Sequence, residues 1–174
     1  RLNFNIKTDY SNFQSRKLTD SLADWRAQEN HFNLNSRLWY NNRNERFYGD
    51  IGLRYNGYTY GILDSVMSLG DTGISNQNTI IDFKPGVWTQ MLDNRLKIEI
   101  GVGITADLHA DKNVVYLYPQ AEFKYAMFKD IFIPYVGIKG GLKQNTIQSL
   151  STQNPCIRVN QRLVNEHNPF DIYG

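Results

Sequence analysis

Apolar and polar residues alternate with period two along most of the chain, the repeat of a strand that shows one face to apolar surroundings and the other to water. Helical spacing is nearly absent. The first run sets Leu2, Phe4, Ile6, Thr8 and Tyr10 against Asn3, Asn5, Lys7 and Asp9. The second sets Phe32, Leu34, Ser36, Leu38 and Tyr40 against His31, Asn33, Asn35, Arg37 and Trp39. In the third, Ile51, Leu53 and Tyr55 oppose Asp50, Arg54 and Asn56, and in the fourth Ile81, Phe83, Val87 and Met91 oppose Asp82, Lys84, Trp88 and Gln90. The fifth is the clearest, with Leu96, Ile98, Ile100, Val102, Ile104, Ala106 and Leu108 on one face and Lys97, Glu99, Gly101, Gly103, Thr105 and Asp107 on the other. The sixth places Leu117, Ala121, Phe123 and Tyr125 opposite Tyr118, Gln120, Glu122 and Lys124, and the seventh places Phe132, Val136, Ile138 and Leu142 opposite Tyr135, Lys139 and Lys143. An eighth run opens between Pro169 and Tyr173.

Runs of about 10 to 14 residues are roughly twice an ordinary soluble strand and match what a tilted strand needs to cross a bilayer. Tight turns are expected at residues 41–44, 92–95 and 128–130, and longer excursions at 14–28, 61–77 and 144–168, with 109–113 short. Alternating short and long connections are the habit of an outer-membrane barrel, the short ones facing the periplasm. The predicted fold class is therefore all-β, an antiparallel up-and-down transmembrane β-barrel, with residues 1–174 forming one segment of about seven or eight strands and no separate plug or soluble domain. Because such barrels close with even strand numbers and an open edge in lipid strands backbone groups, the remaining strands of the same barrel are expected to complete it. The chain opens at Arg1 without an initiator Met or a signal-peptide pattern, which reads as a cut piece.

The polar face carries both signs of charge. Asp82, Lys84, Lys97, Glu99, Glu122 and Lys124 are assigned to the lumen, and Leu96, Ile98, Ile100, Val102 and Ile104 to lipid. Setting Asp107 opposite Tyr116 would pair Glu99 with Lys124 and put Gly101 and Gly103 opposite Glu122 and Gln120, a favourable cross-strand ladder. This assignment predicts that Ile100→Arg abolishes membrane assembly and that Gly101→Ser is tolerated. Tyr10, Trp39, Tyr40, Tyr58, Tyr60, Trp88 and Tyr125 fall near predicted strand ends, where interfacial aromatics belong, although Trp39 and Trp88 point inward by parity.

Composition narrows the picture further. Among 174 residues, Lys+Arg number 19 and Asp+Glu 17, a net charge of +2 that gives no electrostatic footprint for nucleic acid. The longest nearly unbroken apolar stretch, from Ile131 to Ile138, is about half of what a spanning helix needs. The single cysteine, Cys156, excludes an internal disulfide and any multi-cysteine metal site.

Candidate chemistry is sparse. Gly101-Val102-Gly103-Ile104-Thr105-Ala106 matches the dinucleotide fingerprint with Glu122 downstream, but the fingerprint requires a helix at the glycines, and here alternation continues through Leu108. Room for large inward neighbours such as Tyr118 is the better account of these glycines. His31, His109 and His167 show no ligand spacing, and no nucleophile–base set is visible, so no enzyme activity, catalytic residue, metal or cofactor is expected. Residues 19–26 could form a short helix through Leu18, Leu22 and Trp25, covering the barrel mouth or meeting a partner.

The segment Pro134-Tyr135-Val136-Gly137-Ile138-Lys139-Gly140-Gly141-Leu142, followed by a long excursion and then Asn168-Pro169-Phe170-Asp171-Ile172-Tyr173-Gly174, resembles the outer-membrane β-barrel proteins of Bacteroidota grouped with TonB-dependent receptors. The resemblance implies a large barrel in the cell outer membrane that acts as a transport or channel wall with surface loops. A TonB box and a plug domain are not visible in these residues. One alternative is a structural or secretion-assembly barrel whose long loops grip an outer-membrane or periplasmic protein. Another is a soluble lipocalin-like barrel with its apolar face turned inward around a ligand. Outer-membrane lipid is the principal partner expected, and nucleic acid is not.

Overall fold

The computed structural model describes residues 1–14, 24–63, 74–109, 112–128, 131–154 and 163–174. Eight strands follow in order: β1 (Leu2–Gln14), β2 (Asp24–Asn42), β3 (Glu45–Leu63), β4 (Ile74–Met91), β5 (Leu96–His109), β6 (Asn113–Tyr125), β7 (Tyr135–Lys143) and β8 (Glu166–Tyr173), with helix α1 (Ile147–Gln153) between the last two. Each strand pairs antiparallel with the next in a single up-and-down sheet. No pairing joins β8 to β1 among the described residues, so the sheet is open and not a closed barrel.

The short turns stand where alternation breaks. Asn42 pairs with Glu45 across a turn in which Arg43 takes φ 43°, and Leu92, Asp93 and Asn94 take φ 52°, 54° and 69°. Asn and Asp tolerate this left-handed region through local hydrogen bonding, whereas Leu92 holds it without that help. The third turn, after β6, is closed by a bridge between Met127 and Phe132 with Phe128 at φ 51°.

Two of the expected excursions are much shorter than alternation suggests. β2 begins at Asp24 and β3 runs to Leu63, each 19 residues long, and the 18-residue β4 begins at Ile74. In these extensions the outward positions Gln28, Asn30, Thr59, Ser75 and Gln77 are polar. The apolar signal therefore stops while the backbone ladder, which needs no apolar side chain, goes on. Residues 24–26 of the expected short helix are strand, and its remainder lies outside the described residues. The fingerprint glycines 101 and 103 sit inside continuous β5 strand, as alternation requires.

Two register expectations are corrected. Between β5 and β6 the observed partners are Lys97 with Lys124, Glu99 with Glu122, Gly101 with Gln120 and Gly103 with Tyr118. The pairing is two residues away from the expected ladder, a slip that keeps every side chain on its face but replaces opposite charges with like ones. Relief comes from elsewhere: Glu122 bonds Lys124 on its own strand at 2.7 Å, and Glu99 accepts from Tyr48 at 2.6 Å. In β7, Leu142 was expected to share the outer face with Ile138. A register shift between Lys139 and Gly141 reverses the parity, and Leu142 is buried against Ile80 and Tyr118. Pro169, which cannot donate to a ladder, stands within that irregularity.

The sheet curls strongly. Arg37 on β2 and Tyr173 on β8 line one hollow, and Arg54 on β3 donates to the Leu142 carbonyl on β7 at 2.9 Å. In a flat sheet, strands four places apart would lie about 19 Å from each other. The concave face carries the polar side chains, and the convex face carries the apolar ones.

Candidate functional site: the concave polar face

At the end with long connections, the chain after β7 folds back across the concave face and forms a strap. Gln144 donates to the Asn78 side chain at 2.6 Å, Ile147 and Gln148 donate their backbone N–H groups to the two Glu29 oxygens at 2.8 and 2.9 Å, and Asn165 reaches both Asp107 oxygens at 3.0 Å. Thr146 caps α1 through a capping box with Ser149, and Glu29 supplies the acceptor that two of the remaining end N–H groups need. Beneath the strap Ala27, Tyr58, Ile147 and Leu163 form a small apolar cluster.

The wall under the strap is a buried polar network. Glu29 and Asn56 are each 1% exposed and bonded to one another at 2.8 Å. Asp82 accepts from Arg54 at 2.7 Å and from Thr105 at 2.6 Å, and Asn78 donates to Asp107 at 2.7 Å beside His109. Each carboxylate taken from water has been given charged or amide donors, the condition under which burial is tolerable. Three buried atoms near this seam, Asn56 Oδ1, Tyr118 Oη and Gln144 Oε1, bond no group among the described residues.

Toward the short turns the same face opens. One hollow of about 330 Å³ is lined by Arg37, Tyr48, Asp50, Lys84, Glu99, Gln120, Glu122, Lys139 and Tyr173 among others, and a second of about 380 Å³ shares Arg37, Asp50 and Lys84 with it. Absent side chains help to make this space. A Cβ at Gly86 would overlap the Tyr48 ring, and one at Gly101 would lie 2.8 Å from the Pro85 carbonyl. The expectation that Gly101→Ser is tolerated is therefore corrected, because the obstacle is backbone.

Of the six charges assigned to one wall, Lys84, Glu99 and Glu122 meet in one hollow, while Asp82 and Lys84 line the other. Lys97 and Lys124 line neither of these two, though Lys124 reaches the first through Glu122. Ile100, Val102 and Ile104 are exposed on the convex face, and Leu96 and Ile98 are half-buried there. Alternation placed Arg37, Asp50, Arg54 and Asn56 on the right face without marking them as a network. Glu29 stands at the edge of an expected excursion and carries no signal, since its partner Asn56 is 27 residues away and the two strap N–H groups 118 and 119. Tyr58, expected near an interface, is buried beneath the strap instead because β3 continues past it. Tyr10 and Tyr40 are exposed at the edges of the apolar face, Trp88 lies under the Arg46 guanidinium at 5.1 Å, and the Tyr60 side chain lies outside the described residues.

The histidines stay apart. His109 sits 3.0 Å from Asp107, and His167 stacks on Tyr116 at 4.5 Å. Among the described residues no group of three or more His, Cys, Asp or Glu is placed to hold a metal, and Cys156 lies outside them.

No family model, curated protein or solved structure matches the chain.

The arrangement must therefore be read from its own geometry. Its concave side carries charge and amide groups, which is the reverse of the apolar interior a lipocalin-like barrel needs.

Proposed function

We propose that this sheet is wall of an outer-membrane β-barrel of the TonB-dependent-receptor-like type, with its convex face in lipid and its concave face lining a transport or channel lumen. The observation that carries the reading is a bounded apolar band. Outward apolar positions run from 2 to 10 on β1, from 32 to 40 on β2 and from 47 to 55 on β3. The register aligns their edges: Leu2 stands beside Tyr40 and Tyr40 beside Phe47, while Tyr10 stands beside Phe32 and Phe32 beside Tyr55. Each stretch is about the 9 to 11 residues a tilted strand needs to cross hydrocarbon. Aromatic residues mark both edges, and outward polar residues follow beyond one of them.

The exposure of this band has no counterpart in an ordinary soluble surface. Phe4 is 69% exposed, Ile100 57% and Leu117 70%, and these belong to one continuous face, far beyond the scattered apolar residues soluble proteins show. No helix among the described residues is long and apolar enough to cross a membrane, so strands would do the crossing. Segments 134–142 and 168–174, which carry the family resemblance, form β7 and β8 and flank the strap.

The test is partition and heat-modifiable gel migration. The protein is expected to fractionate with outer membrane, to need detergent to stay monodisperse, and to migrate differently before and after boiling. Free solubility as a monodisperse species without detergent would overturn the reading.

A second reading is favoured by the strap itself. A segment bonded across the concave face through Glu29, Asn78 and Asp107 narrows that end, as in a barrel that anchors a partner rather than conducting. Bilayer conductance separates the two: steady solute-permeable current supports transport, and a silent barrel that co-purifies with a subunit supports anchoring.

A further inference from the structure

We propose that the open hollow is a cradle for small oxyanions, carboxylate or phosphate groups, held by Lys84, Gln120 and Lys139. The idea rests on the lumen reading above and gives it a solute class.

Most charges around the hollow are already committed. Both Asp50 oxygens are taken by the Arg37 guanidinium at 2.6 Å each. Glu122 is taken by Lys124 at 2.7 Å and by the Tyr173 hydroxyl at 3.2 Å, and Glu99 accepts from Tyr48. Lys84 and Gln120, by contrast, make no side-chain hydrogen bond or ion pair among the described residues. Among the described residues Lys139 meets the Tyr173 ring, 4.9 Å from its ammonium, and no carboxylate. The charges that line the hollow balance at three of each sign, but Arg37 is held by Asp50, and Glu122 is held by Lys124 from outside the lining, so Lys84 and Lys139 are its cations without a carboxylate partner among the described residues.

The three uncommitted donors are also neighbours. Gly103 has no side chain, and the space a Cβ would take there is bordered by the Gln120 Nε2 at 3.3 Å and the Lys84 Cγ at 3.7 Å. Gln120 is in turn the register partner of Lys139, which puts their Cβ atoms about 4.5 to 5.5 Å apart. Lys84 from β4, Gln120 from β6 and Lys139 from β7 thus line one hollow, beside a gap in β5 left by Gly103. An oxyanion seated there would accept from all three, with the two charged bonds supplying most of the affinity.

The experiment is lysine protection read by mass spectrometry. The folded protein is briefly acetylated in inorganic phosphate, in acetate, or in chloride of matched ionic strength. Phosphate and acetate are expected to slow modification of Lys84 and Lys139 severalfold against chloride, while Lys7 and Lys97, on other parts of the sheet, are unchanged. Lys84→Met should raise the anion concentration needed for half-protection of Lys139 about tenfold, the order expected for losing one charge-assisted bond, and Lys84→Arg should leave it unchanged. Equal protection in all three salts would mean ionic screening only and would overturn the cradle, as would half-protection of Lys139 that Lys84→Met leaves unshifted. Heat-modifiable migration is scored on the same samples. Its absence would break the membrane reading, while the protection pattern judges the cradle separately.

Discussion

The two faces of the sheet are made from the same strands, yet they solve opposite problems. On the convex face Phe4, Ile51, Phe83, Ile100 and Leu117 are exposed, with no element of the described residues above them. On the concave face Glu29, Asn56, Asp82, Thr105 and Asp107 are buried, and each is hydrogen-bonded. A soluble sheet would reverse this distribution, since hiding apolar area from water is what drives folding there. The difference teaches that concave polarity is structural, since those side chains hold one another and the strap, whereas the convex side is suited to a solvent other than water only under the proposed barrel reading.

The comparison breaks most easily on the concave side. Arg54→Met leaves Asp82 buried with Thr105 as its remaining side-chain donor, and a loss of about 3 to 5 kcal/mol is expected, measured by urea unfolding in detergent. Next is Ile100→Arg on the convex face, expected to cost about 2 to 4 kcal/mol in a bilayer near the midplane. In water the same exposed substitution would stay within about 0.5 kcal/mol, so folding assays with lipid decide which solvent that face meets. Gly101→Ala pushes a methyl group against the Pro85 carbonyl and is expected to cost about 1 to 3 kcal/mol by the same assay. The smallest effect belongs to Lys143→Ala: its pair with Glu166 is 61% exposed on both sides, and unfolding should move by no more than about 1 kcal/mol.

The faces themselves were legible, because period two leaves no freedom about which residues share a side, and the 92–95 turn fell where alternation stopped. Register was less so. A two-residue slip preserves parity, so nothing in the pattern distinguishes Glu99 beside Lys124 from Glu99 beside Glu122, and pairing opposite charges favours the ladder the sheet does not adopt. Tyr48, from β3, supplied the donor that makes the like-charge pairing tolerable, and no local pattern announces a neighbour two strands away. Leu142 misled for a different reason: a single irregularity at Gly140 turns the strand over, and apolar residues beyond it then face inward. The strap network was least legible, since Glu29, Asn78 and Asp107 are ordinary polar residues until a distant segment lies across them.

The central claim is that lipid covers the convex face, and depth-sensitive spin labelling tests it most directly. Nitroxides are placed one at a time at 97, 98, 99, 100, 101 and 102 in a Cys156→Ser background, and the protein is reconstituted in bilayers. The account predicts that collisions with dissolved oxygen dominate at 98, 100 and 102, whereas a water-soluble nickel chelate dominates at 97, 99 and 101. Equal access of the chelate to both sets would contradict it.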